Sequence, residues 1–425
     1  MRSPLFLLAF AICLGSTPAR AATVGVDALV AEALANHPQA LAASASVAAQ
    51  AAAIGRVEAQ QLPQVSLTSG YAQTTSISNT QTASQSLGIT NGQLAVRQQI
   101  WDFGRTGQAI AEARAGADAA QAQARLSEVD VAHGVRRAYL LWLREHTAAR
   151  AAAGRADSAR RIRDQARAFY TAGKRSKIDL TRADAALQLA QADLARARLA
   201  EQTAALVVDA AVGREGAAAG EPALPPEPGV VARAPADLAA LARQGHPALA
   251  AARARLRRAQ AAREGADLAV WPELRADGKY GFRARDAAPN PNWSVELTLS
   301  APLFDGFATD RARQEAAAAE SGAQETLRGA VLATDLDLRR AALAAESASE
   351  RLPAAEAAVR GALENLELAQ GRYAAGVGTV IEVGDALDLL QAAQIDRDRD
   401  LVDYHLALAD LLRAAGLTGL ERDAH

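Results

Sequence analysis

The sequence predicts a mainly α-helical protein with a membrane β-barrel part, built from two copies of one structural unit. Three observations lead to this fold class: ordered motifs that occur twice, segments that alternate apolar and polar residues, and very long stretches without proline. The composition agrees, because 50% of the 425 residues are hydrophobic but only 4% are aromatic. Abundant alanine with few aromatic residues favours long, closely packed helices over a thick globular core.

Residues 1–21 are predicted to form a signal peptide. A basic residue precedes the apolar run Leu5–Leu14, which is too short to span a bilayer, and Ala19–Ala21 offers small residues for cleavage. Lipidation of Cys13 is the weaker alternative, because the branched Ile12 stands where a small residue is required. No later run of about 18 apolar residues is evident, so no membrane-spanning helix is expected.

The remaining chain is predicted to be an internal duplication. Asn36-His37-Pro38 recurs as Gly245-His246-Pro247, and Trp101-Asp102-Phe103-Gly104 recurs as Phe304-Asp305-Gly306. A proline-rich stretch that cannot be helical separates the copies. The predicted divisions are a signal peptide (1–21), a first repeat (22–213), a proline-rich linker (214–235), a second repeat (236–416) and a tail (417–425).

Each repeat is predicted to contain a helix, a β-hairpin, a very long helix, a glycine turn and a return helix. In the first repeat these are a hairpin at about 62–103, a long helix at 104–171, a turn at 172–179 and a return helix at 180–213. In the second repeat they are a hairpin at about 271–305, a long helix at 306–374, a turn at 375–382 and a return helix at 383–415.

The hairpins are predicted from a period of two in hydrophobicity. Trp293, Val295, Leu297 and Leu299 alternate with polar residues, which gives a strand one apolar and one wet face. In the first repeat the parity of the apolar residues reverses near Asn91-Gly92, and a β-bulge is expected there. Alternating segments of about ten residues are typical of outer-membrane strands.

The long helices are predicted from proline-free stretches and a seven-residue repeat. A helix over 104–171 would be a rod of about 100 Å. In the second repeat, apolar residues seven apart alternate with a row of mostly small residues, which predicts a coiled-coil seam. The first row is Val331, Leu338, Ala345, Leu352, Val359, Leu366 and Tyr373, and the second is Thr334, Ala341, Ala348, Ala355, Ala362 and Ala369.

Four strands are too few to close a barrel within one chain. An open sheet in lipid would expose unpaired backbone groups at both edges, so the chain must oligomerise if the strands enter a membrane. The formal net charge of -2 gives no reason to expect nucleic acid as a partner. The histidines lack partners at catalytic or metal-binding spacing, so we expect no enzymatic activity, cofactor or metal.

In order and twice over, these motifs resemble the TolC-type outer-membrane factor family. The resemblance rests on the motifs above, on Leu62-Pro63-Gln64-Val65, and on Tyr170 to Asp179 with its counterpart Tyr373 to Glu382. It implies a homotrimer with a twelve-stranded barrel in outer-membrane lipid and a coiled-coil tunnel that extends into the periplasm. The implied partners are a periplasmic adaptor and an inner-membrane pump of the RND or ABC type.

By the same resemblance, the two glycine turns are periplasmic tips that form a gate. Gly173 and Gly376 can take positive φ, and Tyr170 and Tyr373 precede them. In the family, residues at the tips form a network that joins neighbouring hairpins in the closed state. The residues of this chain at matching motif positions are Tyr373 and Asp179. Some members place a basic residue where this chain has Gly378. The candidates to replace it are Lys174, Arg175 and Lys177; a plain helix-hairpin turn without a gating role is the alternative.

Glu382 and Asp385 lie one helical turn apart at the start of the second return helix. They would either form an acidic collar at the narrowest opening or simply complement the helix dipole. Trp101 and Phe304 end the predicted strands and are candidate membrane-interface anchors, with ordinary packing as the alternative.

The function expected from the resemblance is a passive exit duct for drugs, metals or other small molecules. The outer-membrane component of a type I protein secretion system is the nearest alternative. A periplasmic adaptor would have one helical hairpin rather than two preceded by strand pairs, and a structural coiled coil would not explain the strands.

Overall fold

The computed structural model describes residues 23–76, 85–216, 220–227, 235–285 and 288–420. The predicted signal peptide (1–21) lies outside these residues, as do parts of the predicted linker and tail. Two short parallel strands, β1 (Thr23–Val24) and β4 (Glu221–Pro222), pair the start of the described chain with the linker. The remaining elements occur in the same order in both repeats.

The helices of the two repeats match in length. The first repeat has α1 (Val26–Asn36), α2 (Pro38–Glu58), α3 (Arg105–Thr171) and α4 (Lys177–Val212). The second has α5 (Pro235–Gly245), α6 (Pro247–Asp267), α7 (Ala308–Ala374) and α8 (Val380–Ala415). Both α3 and α7 contain 67 residues. The first glycine turn is therefore 172–176, and the second is 375–379.

The return helices begin earlier than predicted, at Lys177 and Val380 rather than at 180 and 383. The reason is helix capping. Thr379 Oγ1 accepts from the Glu382 backbone nitrogen at 3.2 Å, which is a side-chain N-cap of α8, and it lies 3.4 Å from the Glu382 carboxylate. In the first repeat Ser176 is the N-cap residue of α4, but its side chain makes no capping hydrogen bond. The serine or threonine followed three residues later by an acidic residue was nevertheless a usable signal in the sequence for both helix starts.

Four antiparallel strands form one sheet in the order β2 (Gln64–Ser76), β3 (Gln85–Trp101), β5 (Glu273–Arg285) and β6 (Ala288–Ser300). Residues directly opposite each other share a face of the sheet. Leu94 lies opposite Leu67 and Tyr280, and Trp293 lies opposite Tyr280 on the next strand. The apolar face holds Val65, Leu67, Leu94, Val96, Leu274, Tyr280, Trp293, Val295, Leu297 and Leu299.

The bulge predicted near Asn91-Gly92 is wrong. The β2–β3 register runs unbroken through Gly92, and Phe282 lies opposite it on β5. A Cβ at Gly92 would lie 2.7 Å from the Phe282 ring, so the glycine serves close packing rather than an extra residue. The register shift lies instead between Gln99 and Trp101, and it places Trp101 opposite Leu274 on the apolar face.

The chain forms two compact units, with boundaries inside α3, α7 and α8. Unit 1 comprises Met1–His37, Gly134–Pro228 and Ala345–Ala409; unit 2 comprises Pro38–His133, Gly229–Ala344 and Asp410–His425. The predicted coiled-coil seam is confirmed in each. Ala345, Ala348 and Leu352 pack on Tyr404 and Leu408 in unit 1, and in unit 2 Leu338 and Ala341 pack with Leu411 and Leu412.

In unit 1 the four helices follow the order α4, α3, α8, α7. Ala156 and Ala159 of α3 pack on Leu187 and Ala190 of α4. On its other side α3 is joined to α8 by the ion pair between Arg155 and Asp388. The α7 seam then packs on α8.

The linker is held to unit 1 by side chains of the helices. Tyr139 Oη donates to the Ala223 carbonyl at 2.7 Å and accepts from its backbone nitrogen at 2.8 Å. Tyr404 Oη donates to the Glu227 carboxylate at 3.2 Å. Burial raises the pKa of Tyr139, so its hydroxyl keeps the proton that this arrangement requires.

The expectation of no membrane-spanning helix was too strict. The segment Pro38–Gln61 is long and apolar enough to cross a membrane by length and composition, with a mean hydropathy of 1.3. Its apolar character comes mainly from alanine, interrupted by serine and glutamine, whereas the prediction looked for a run of large apolar residues. By itself this property is weak support for a membrane span, because helices of soluble proteins share it.

Candidate functional site

The two glycine turns have the same backbone conformation. Gly173 has a φ of 71° and Gly376 a φ of 80°, which confirms the predicted positive φ at both positions. The Lys174 nitrogen donates to the Phe169 carbonyl at 2.9 Å, and the Val377 nitrogen donates to the Arg372 carbonyl at 3.1 Å. Both are helix-ending contacts that let a long helix reverse within five residues.

Arg175 joins the first glycine turn to the second. Its Nη2 donates to the Gly378 carbonyl at 2.8 Å and to the Gly376 carbonyl at 3.2 Å. The guanidinium also lies 5.4 Å from the centre of the Tyr373 ring, within range of a cation–π contact. Of the three basic candidates, Arg175 is therefore the one with these contacts to the second turn.

Tyr373 is the centre of the apolar cluster beside these turns. It is only 1% exposed and packs with Ala369, Val383 and Ala386. Phe169 meets its ring edge-on at 5.8 Å. The Tyr373 hydroxyl is buried and has no hydrogen-bond partner among the residues described.

The Tyr373–Asp179 contact carried over from the resemblance is not made as a hydrogen bond here. Burial raises the pKa of Tyr373, and the negative charge of Asp179 raises it further, while Arg175 opposes this. The Asp179 carboxylate thus affects the pKa of the Tyr373 hydroxyl through its charge, without a hydrogen bond. Tyr170, the counterpart of Tyr373, is 41% exposed and lies outside the apolar cluster.

The two carboxylates of the predicted acidic collar have cationic neighbours. Glu382 lies 3.3 Å from Arg372 Nε and also accepts from the Thr379 hydroxyl at 3.4 Å. Asp385 lines a groove of about 190 Å³ together with Arg155 and Arg182. The ion pair with Arg372 offsets the charge of Glu382 within the protomer, which for this residue favours the simpler explanation from helix ends over an open acidic ring.

Sequence reasoning missed Phe169 and Arg372. Phe169 follows Ile162 by seven residues, and both pack against the Tyr373 cluster, so the heptad spacing of α3 was a usable signal. Arg372 pairs with Glu382 across the turn, and no spacing pattern in the sequence predicts that contact.

A second group of aromatic residues lies where the sheet meets the long helices. Trp101 ends β3, as predicted, but Phe304 follows the end of β6 at Ser300 and belongs to the connection into α7. The backbone pairing ends early there because Pro302 has no N–H to donate. Phe103 stacks on Trp271 with ring centres 5.2 Å apart, and Phe304 meets Phe307 edge-on at 5.6 Å. Phe103, Trp271 and Phe307 thus lie beside the two predicted anchors.

The polar face of the sheet carries an ion network. Arg97 on β3 lies directly opposite Asp277 on β5, with Nε and Oδ1 3.0 Å apart. Arg275 Nε lies 2.9 Å from the other oxygen of Asp277. Glu296 lies opposite Asp277 on β6. Charged groups on one face and large exposed apolar groups on the other suit a sheet between water and lipid.

Within the described ranges, no group of three or more histidine, cysteine, aspartate or glutamate side chains is arranged to hold a metal ion.

Comparison with known proteins agrees with the geometry. A family model described as outer membrane efflux protein matches residues 29–214 and 238–417, which are the two repeats. Over 192 residues the chain is 29% identical to the pyoverdine export outer membrane protein OpmQ of Pseudomonas putida, an alignment that covers 44% of this chain. It spans only 40% of the length of that relative.

Solved structures share the fold over nearly the whole chain. A membrane protein from Pseudomonas aeruginosa superposes with a TM-score of 0.77 at 20% identity, covering 96% of this chain and 99% of that one. The Campylobacter jejuni CmeC outer membrane channel superposes with a TM-score of 0.78 at 14% identity, covering 100% and 95%. At these identities the likeness establishes the fold alone, and it is the TolC-type fold predicted from the sequence.

Proposed function

We propose that this chain, which belongs to the outer membrane efflux protein family, is one protomer of a homotrimeric exit duct. The family is one of transport channels, and membership locates the chain in the outer membrane. In this proposal the duct is passive and catalyses no reaction. It extends into the periplasm and releases small molecules that an adaptor and an inner-membrane pump deliver.

The observation that carries the proposal is the sheet with two open edges. In the described chain, β2 and β6 each pair on one side only. Their outward face is apolar and exposed, with Leu67 and Val295 both 77% accessible. Unpaired backbone groups are too costly in lipid, so β6 of one copy must pair with β2 of the next until the sheet closes.

The helices of unit 1 present a matching requirement. Its outer helices, α4 and α7, carry exposed leucines that nothing within unit 1 covers: Leu189, Leu199, Leu363 and Leu368. In a ring, α4 of one copy would meet α7 of its neighbour and bury these side chains. Physical argument permits several ring sizes; the number three, and hence twelve strands, comes from the family resemblance.

For the gate, we assign the two glycine turns to the periplasmic end. Gly173 and Gly376 shape the turns, and Arg175 ties the second turn to the first through backbone carbonyls. Tyr373 and its cluster hold α7 and α8 together there. Tyr170, Asp179, Glu382 and Asp385 are the polar residues that would face neighbouring protomers or the opening.

Trp101 and Phe304, with the neighbouring aromatic rings, are assigned to the membrane–water boundary. Both side chains are exposed in the isolated protomer, and aromatic rings are enriched at that boundary.

The cargo proposed is a small organic molecule. The OpmQ relative is described as exporting pyoverdine, and the alignment with it covers less than half of either chain.

The proposal is tested by mass and conductance. Purified protein in mild detergent should have three times the protomer mass, and it should form water-filled channels in a planar lipid bilayer. A monomer that forms no channels would refute the duct.

The gate assignment has its own test. Arg175→Ala should raise the open fraction of single channels, because it removes both hydrogen bonds between the turns. Lys174→Ala is the matched control, since it removes a neighbouring positive charge from the same turn. Equal open fractions in the two variants would show that Arg175 does not stabilise the closed gate. The proposal that the protein forms a channel would still stand.

A further inference from the structure

A cleft lies between α3 and α8 in unit 1, away from the glycine turns. Residues 147–161 and 387–398 line it, with one contribution from α7, and its volume is about 530 Å³. Three of the residues that α3 contributes to the cleft have small side chains. Ala151, Gly154 and Ser158 face Leu387 and Leu390, which do not fill the space between the helices.

The rim of this cleft is rich in guanidinium groups. Four arginines line it, from two helices: Arg150, Arg155, Arg161 and Arg397. Only one carboxylate, that of Asp398, is among the lining groups. A concave surface with this charge attracts anions and repels cations.

Two of the four arginines are already neutralised by acidic neighbours. Arg155 pairs with Asp388 and lies 3.4 Å from Asp193. Arg397 pairs with Asp398, with Nε and Oδ1 2.8 Å apart. These contacts hold both guanidinium groups at fixed positions on the rim.

The other two carry uncompensated charge. Arg161 donates to the neutral Ser158 hydroxyl at 2.9 Å, and Arg150 makes no ion pair within the part of the chain that the structure describes. Both side chains are exposed to solvent. The guanidinium groups of Arg150 and Arg161 are therefore available to bind an anion in the cleft.

We propose that this cleft binds a small organic polyanion with two or more carboxylate or phosphate groups. The planar guanidinium matches both kinds of oxyanion and can bind each through two parallel hydrogen bonds. Gln391 and Gln394 add neutral donors on the α8 side, and Leu387 and Leu390 offer a surface for the carbon skeleton. The volume lies within the range of about 300–1,000 Å³ that small-molecule sites occupy.

The site goes beyond the duct proposed above and does not depend on the gate. Neighbouring copies in the proposed ring would meet at α4 and α7. The cleft between α3 and α8 would then remain within each protomer.

The test is titration calorimetry of the full-length purified protein with citrate and, separately, with pyrophosphate. We expect saturable binding of at least one of these probes at low salt, with one site per chain. Preference for citrate would identify a carboxylate ligand, and preference for pyrophosphate a phosphate ligand. Raising the salt concentration should weaken binding, because the attraction is between charges.

Variants locate the site. The double substitution Arg150→Gln and Arg161→Gln should weaken binding about tenfold or more, which corresponds to roughly 1.4 kcal/mol. Arg160→Gln is the matched control, because Arg160 lies on the same helix and pairs with Asp157 outside the cleft. It should leave the affinity unchanged.

Each outcome decides the proposal. No saturable binding of either probe by the wild-type protein would overturn it, and so would equal affinities in the wild type and the double variant. Circular dichroism and detergent mass establish that the variants are folded. If the double variant does not fold, Arg150→Gln alone should still weaken binding about threefold, and an unchanged affinity would count against the site.

Discussion

The first glycine turn follows α3 and the second follows α7, and the two share their backbone but not their side-chain chemistry. Gly173 and Gly376 have φ values within ten degrees of each other. Yet Tyr373 is 1% exposed and Tyr170 is 41% exposed. The first turn supplies a cation, Arg175, and the second supplies the carbonyls that receive it. Duplication has thus preserved the fold of the hairpin, while divergence has created a donor turn and an acceptor turn.

The largest expected effect concerns the two tyrosines. Tyr373→Ala should destabilise the protein by about 3–4 kcal/mol, because it empties a fully buried aromatic site. Tyr170→Ala should cost less than about 1 kcal/mol, since Tyr170 is 41% exposed. Denaturant unfolding followed by circular dichroism measures both. Equal losses would show that the two turns are not asymmetric in solution.

Tyr373→Phe sharpens the same comparison. The hydroxyl is buried without a partner among the described residues, so its removal should leave stability unchanged or raise it by up to about 1 kcal/mol. A clear loss of stability would mean that the hydroxyl bonds Asp179 in solution, as the family resemblance implies.

The next effect concerns the position two residues after each turn glycine, which is Arg175 in one repeat and Gly378 in the other. A Cβ at Gly378 would lie 2.9 Å from both the Arg372 Cβ and the Tyr373 nitrogen. Gly378→Ala should therefore destabilise by about 1–2 kcal/mol. The matched control is Gly371→Ala, where a Cβ meets nothing within 4 Å, and a helical alanine should be neutral or stabilising. Similar unfolding midpoints for both variants would contradict the steric argument.

A smaller effect separates the twin histidines. His246 caps α6, and its Nδ1 accepts from the Ala248 nitrogen at 3.1 Å. Burial lowers the pKa of His246, against smaller opposing effects from the Arg413 backbone and from Asp337 and Asp130. The folded protein therefore prefers the neutral ring. Its contribution to stability is present above the ordinary histidine pKa and is lost as the pH falls below it.

The variant His246→Asn keeps a helix cap but removes this titration. Its stability should fall less than that of the wild type between about pH 7.5 and 5.5. His37→Asn changes the equivalent motif of the first repeat and is the matched control. Some dependence will persist in both variants, because burial also lowers the pKa of His405. An unchanged pH profile in His246→Asn would exclude His246 as a contributor.

Much of the fold was predictable because its signals are local or periodic. The seven-residue rows found the buried seam of α7, and the period of two found the apolar face of β6. The misplaced bulge shows the limit of such patterns. The apolar residues before and after Gly92 lie on opposite faces of one regular strand. A glycine is needed at position 92 because the Phe282 ring packs against it, and Phe282 is far away in sequence.

The site was less predictable for the same reason. The glycine positions and their positive φ follow from the motif, but the asymmetry between the turns depends on contacts across about 200 residues of chain, such as Arg175 with Gly378. The sequence offered three candidates for the basic residue that contacts the second turn. Only the packing of the two helical hairpins shows that it is Arg175.

The smallest expected effect tests the helices that follow the twin histidines. Both α2 and α6 have 21 residues. One ion pair joins α2 to α3, Arg114 with Glu58 at 2.8 Å, whereas two join α6 to α3, Arg257 with Asp118 at 2.9 Å and Arg258 with Glu112 at 3.2 Å. The four side chains of the α6 pairs are solvent-accessible, so Arg257→Ala with Arg258→Ala should cost less than about 1 kcal/mol. The loss should disappear in about 1 M salt, where charges are screened beyond roughly 3 Å. A large loss that survives high salt would mean that the arginine stems hold α6 through packing rather than through charge.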